Sequence, residues 1–139
     1  MILLAVARLG AWSPTFHETQ TRLAVRMVPK GMARFLAAHP AALIEGARGI
    51  SNDQVPNPED VEEQFYRVLK LSENHGSATA IARELGTLGH MVQLLCDPGA
   101  THGVTALRDC FDAYGDAQLH RMLVTGEPCW ALRGTLDPR

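Results

Sequence analysis

The chain is short of cysteine, of basic clusters and of long apolar runs, and each shortage closes off a class of protein. Its three cysteines, Cys96, Cys110 and Cys129, are odd in number and form no Cys-x-x-Cys pair. That argues against a disulfide framework and fits a reducing cytoplasm. Lysine and arginine total 13 against 15 acidic residues, a formal net charge of −2 with no basic patch, so a nucleic-acid backbone is not the expected partner. The opening MILLAVARLG is apolar but lacks a basic leader and is too short to span a bilayer, so no membrane association is expected. A small-residue cleavage position near Ala11 leaves export open beside the expected cytoplasmic location. There is no internal repeat, no low-complexity stretch, and no strand pattern outside residues 2 to 6.

What is present is helix. With 139 residues, 46% of them hydrophobic, the chain can bury a core as one domain. SPTFHETQTRLAVRMV offers Ser13 as a cap, Pro14 at the first helical position, and Leu23, Ala24, Met27 and Val28 at helical spacing. GMARFLAAH and PAALIEGARG read as two short helices, the second ending near Gly46 or Gly49. After the loop ISNDQVPNPED, Glu59 opens a helix with the stripe Val61, Phe65, Val68 and Leu69. Ser77 caps the longest helix, whose Ile81, Leu85, Leu88, Val92 and Leu95 form a core stripe that should make it the buried centre. A last helical region follows, with Gly115 as a break. The expectation is a single all-α domain over residues 1–139, a bundle of about five or six helices. Residues 1–11 are expected to form a strand or short helix, and 125–139 an irregular tail.

The polar residues gather around TLGHMVQLLCDPGATHG. His90, Gln93, Leu94 and Asp97 share one helical face, because residues three, four and seven apart lie within about 40° on the wheel. His90 and Asp97 are two turns apart, about 10 Å of axial rise, too far to share a small ion easily but suited to lining one pocket. His102 follows in the loop and His120 on the next helix. His17 stands in the first turn of its helix, where a cationic imidazole is disfavoured by the dipole. His39 and His75 read as solvated turn residues.

The order of these fragments resembles the zinc-dependent phospholipase C and fungal zinc-nuclease superfamily. Trp12 and His17 come first, then MVPKGMARFLAAH, EGARGISND ending in Asp53, VEEQFYRV, LGHMVQLLCDPGATHG, and LHRMLV carrying His120. The resemblance covers roughly residues 12 to 124 and implies an all-α phosphodiesterase with a three-zinc cleft. Ligand-type side chains persist at His17, Asp53, His90 and His120. Gln64 stands where the family has a histidine, Leu94 where it has a bridging aspartate, Ala100 where it has a histidine (His102 is two residues on), and Val124 where it has a late glutamate. Leucine and valine supply neither charge nor lone pairs, so closely spaced zinc ions would repel one another uncompensated.

The resulting expectation is a repurposed member that works without metal. His90, His17, His120 and Asp53 would do acid/base chemistry of the cyclisation, dehydration or isomerisation type on a small, mostly apolar molecule. Gln64, Asp97, Gln93 and Leu94 would contact it. No cofactor is favoured. One alternative is a phosphodiesterase with one zinc on His90, His120, His17 and Asp53; another is a non-catalytic ligand-binding or interaction module. The short chain also suggests a homodimer.

Overall fold

The computed structural model describes residues 14–50, 54–96 and 113–118, and among these residues the fold is all-α, without strands. Helix α1 is Pro14–Ala24, continued by a 3-10 turn at Val25–Met27; α2 is Lys30–Ala38, α3 Pro40–Arg48, α4 Pro58–Glu73 and α5 Ala78–Leu95. A sixth helical segment, α6, covers residues 113–118. The segments 1–13 and 119–139, and with them the expected N-terminal element and tail, lie outside the described residues.

Local chemistry sets most boundaries. Pro29 and Pro40 stop the helices before them, and Pro40 and Pro58 each open one, where a missing N–H costs nothing. Helix α4 begins at Pro58, not Glu59, because Asn57 closes a capping box. Asn57 Oδ1 accepts from the Asp60 N–H at 2.7 Å, and Asp60 Oδ2 accepts from the Asn57 N–H at 3.0 Å. Ser77 Oγ caps α5 by accepting from the Ala80 N–H at 3.2 Å. Helix α4 ends in a Schellman turn, with Gly76 N–H bonded to Leu71 O and His75 N–H to Ser72 O; the left-handed residue is His75, at φ 55°. Helix α3 runs through Gly46 to Arg48 and ends at Gly49. Helix α6 runs through Gly115, which therefore breaks nothing; it lies against the ring of Phe16.

The buried faces differ from the apolar stripes. Helix α5 packs against α3, α4 and α1, but its interior line is Ala82, Gly86, His90 and Leu94, with Met91 beside it. Val92 is 44% exposed. Helix α3 is enclosed more completely: Ala42, Leu43, Ile44, Gly46 and Ala47 are all buried. The cause is close approach. A Cβ on Gly86 would fall on the Leu43 carbonyl, and one on Gly46 on the Arg83 carbonyl, so the two helices meet backbone to backbone. Thr87 Oγ1 donates to the Gly46 carbonyl across the same seam. On α4 the inward line is Val61, Gln64, Val68 and Leu71, whereas Phe65 and Leu69 face outward. On α1 it is Phe16, His17 and Thr21, while Leu23 and Met27 are only half-buried and Ala24 is exposed. No helix among the described residues is long and apolar enough to cross a membrane.

Candidate functional site

Three of the expected site residues meet where α1 crosses α5. His17 and His90 are 1% and 2% exposed and stack face to face, ring centroids 4.4 Å apart and planes 22° from parallel. His17 Nδ1 is 2.6 Å from Gln93 Oε1, and Gln93 Nε2 donates to Thr21 Oγ1 at 3.2 Å. With its amide so fixed, Gln93 Oε1 accepts a hydrogen bond from His17 Nδ1–H, which sets the tautomer and the orientation of the ring. Helical spacing makes this possible on both sides: His17 and Thr21 are four apart on α1, and His90 and Gln93 three apart on α5.

His90 is the unusual member. Among the described residues neither of its buried ring nitrogens has a hydrogen-bond partner. An unpaired buried polar group costs about 1–3 kcal/mol, so this arrangement works against the fold. The His90 pKa is lowered from 6.5 to about 4: burial contributes most and the charge on His17 next, while hydrogen bonding toward the Ala47 backbone, too poorly aligned to satisfy either ring nitrogen, acts in the opposite direction. At neutral pH His90 is therefore an uncharged imidazole. A proton on one ring opposes a proton on the other.

Gln64 stands apart, on the seam of α4 with α5. Its Nε2 donates to the carboxylate of Glu84 at 2.7 Å and to the Glu84 carbonyl at 3.1 Å. Together with Met91 it forms part of the wall of a cavity of about 450 Å³. Leu94, on the His90 face, is fully buried. Asp53, Asp97, His102 and His120 lie outside the described residues. His39 is half-buried, its ring 5.4 Å from that of Phe35, rather than solvated; His75 is exposed as expected. Cys96 is an exposed free thiol.

The described residues do not fit the multi-zinc centre that the resemblance implies. Leu94, where the resemblance would call for a bridging carboxylate, is fully buried, and the Gln64 amide nitrogen is committed to Glu84. Stacked imidazoles turn their π faces to each other. Their lone pairs lie in planes only 22° from parallel, which converge far beyond the about 2.0–2.1 Å of a Zn–N bond. Among the described residues no group of three or more His, Cys, Asp or Glu side chains is placed to hold a metal ion.

Sequence reasoning did not single out Thr21, Glu84, Gly46 or Gly86 for these roles. Thr21 could have been found from its four-residue spacing to His17, and the glycines from their positions inside helices, where glycine is otherwise unfavourable by about 1 kcal/mol. Glu84 carries no such signal, since its role depends on how α4 and α5 pair. No family model, no curated protein and no solved structure matches this chain.

Proposed function

We propose that this protein is a divergent relative of the phospholipase C-like helical hydrolases that acts on a small, mostly apolar molecule by acid/base chemistry at the His17–His90 pair. The observation that carries the reading is His90: a neutral imidazole, buried, with both nitrogens unpaired among the described residues, stacked on a second imidazole that Gln93 orients. A substrate hydroxyl or carbonyl that reached His90 would supply the missing hydrogen bond. Gln93 Oε1 accepts from His17 Nδ1 and so orients the ring, the same logic by which a third group orients a catalytic base. Because charge on one ring opposes charge on the other, double protonation of the pair is disfavoured. His120, Asp53 and Asp97 belong to the proposal through the resemblance alone.

The low His90 pKa favours a second reading, a non-catalytic ligand site, since a group titrating near 4 is a weak base at neutral pH. One experiment separates the two. A library of hydroxylated aromatic and polyketide-like compounds is screened by thermal shift, and hits are followed by NMR for turnover. Catalysis predicts product formation that falls by about 10²–10⁴-fold in His17→Asn and His90→Gln, with folding intact by circular dichroism. Binding without turnover in the wild type supports the second reading. Turnover undiminished in both variants contradicts the first.

A further inference from the structure

The cavity beside Gln64 has its own chemistry, and it does not rest on the histidine pair. Gln64 is 6% exposed, and its amide nitrogen is held twice by Glu84. That fixes the amide, and its Oε1 accepts no hydrogen bond among the described residues, so a residue that lines the cavity keeps an acceptor free for a ligand. Because that oxygen is open to solvent, a ligand donor can replace water there. Asp60, Glu63 and Arg67 also line the cavity, at spacings of three and four along α4, on the same face as Gln64. Arg67 does not neutralise the two carboxylates. Its Nη2 lies 4.0 Å from Glu63 Oε1, and both side chains are mostly exposed. Asp60 Oδ2 serves the Asn57 cap, which leaves Oδ1 uncommitted. The polar side of the cavity is thus rich in acceptors and net negative, and Val55 and Met91 supply an apolar side. At about 450 Å³ it falls within the about 300–1,000 Å³ typical of small-ligand sites.

We propose that this cavity binds a small amphiphilic primary amine, its ammonium donating to Gln64 Oε1 and to the Glu63 and Asp60 carboxylates, its apolar body lying against Val55 and Met91. An ammonium brings three N–H donors and one positive charge, which matches three acceptors and a net negative wall. A quaternary ammonium has the charge without the donors, and a carboxylate has neither.

The test uses the full chain and three probes of equal length: hexylamine, hexyltrimethylammonium and hexanoate. Binding is followed by NMR at the Met91 methyl and the Gln64 side-chain amide. Hexylamine should shift both signals in a saturable way, and the quaternary and carboxylate probes should bind about tenfold more weakly or not at all. Glu63→Gln should weaken hexylamine binding several-fold, and Arg67→Gln should tighten it, since each changes only an exposed charge. No saturable shift with hexylamine, equal binding of the quaternary probe, or an affinity unmoved by both variants would overturn the proposal. Because the readout sits on Gln64 and Met91 and needs no turnover, it succeeds or fails apart from the acid/base reading.

Discussion

Where α5 meets α3, Gly86 lies on the Leu43 carbonyl and Gly46 on that of Arg83; where α5 meets α1, His90 lies flat on His17, and Gln93 reaches Thr21. Both seams involve the same side of one helix, since Gly86 and His90 are four apart. One seam removes side chains until backbones touch. The other keeps imidazole, amide and hydroxyl groups out of water and leaves His90 without a partner among the described residues. Stability alone favours the first arrangement, because apolar close packing gains dispersion and hydrophobic energy while unpaired polar burial loses it. The second seam therefore carries a cost in stability that the first does not.

The largest effect should come from the close seam. Gly86→Ala places a methyl on the Leu43 carbonyl, a backbone atom that cannot rotate away, so α3 and α5 must separate. Despite alanine's better helix propensity, urea unfolding should show a loss of about 3 kcal/mol or more. A loss below about 1 kcal/mol would mean that the seam is looser than described.

Next in size is the acid response of the polar seam. His90 titrates at 6.5 when unfolded and at about 4 when folded. Above pH 6.5 both states are neutral, and His90 contributes no pH dependence. Between the two values the unfolded chain binds the extra proton, so stability falls as pH falls and levels off below about 4. At 1.36 kcal/mol per unit the full loss is about 3 kcal/mol. Unfolding midpoints followed from pH 7 to pH 4 should fall less steeply in His90→Gln than in the wild type by that amount. Parallel profiles would place the acid sensitivity elsewhere.

The smallest effect belongs to the rim of the close seam, where Arg83 Nη2 pairs with Glu45 Oε2 at 2.9 Å with both side chains well exposed. A double-mutant cycle on this pair should give a coupling of about 0.2–1 kcal/mol that shrinks with added salt. A larger, salt-insensitive coupling would mean that the rim, and not the glycines, holds α3 to α5.

The sequence displayed the helices well and their inner faces poorly. Proline and cap residues act within a few positions of themselves, so Pro29, Pro40 and Ser77 marked boundaries that the structure keeps. Inner faces depend on partners. The stripe of large residues ending in Val92 and Leu95 looked like the core of α5, yet the closeness of α3 turns Ala82, Gly86 and Leu94 inward instead. Phe65 and Leu69 lost the interior of α4 to Gln64 and Val68 for the same reason. For the site, helical spacing was enough to set His90, Gln93 and Leu94 on one face. Spacing within a helix could not show that His17 would stack on His90, or that Gln64 would turn to Glu84 on another seam. The first joins residues more than 70 positions apart in the chain, and the second residues 20 apart.

Acid/base chemistry at this seam requires His90 to be a buried, uncharged imidazole coupled to His17. The direct measurement is a pH titration of its ring nitrogen shifts by NMR, in the wild type and in His17→Phe. Wild-type His90 should stay neutral down to about pH 4, and its pKa should rise when the His17 charge is removed. A His90 that titrates near 6.5 and ignores the substitution would contradict it.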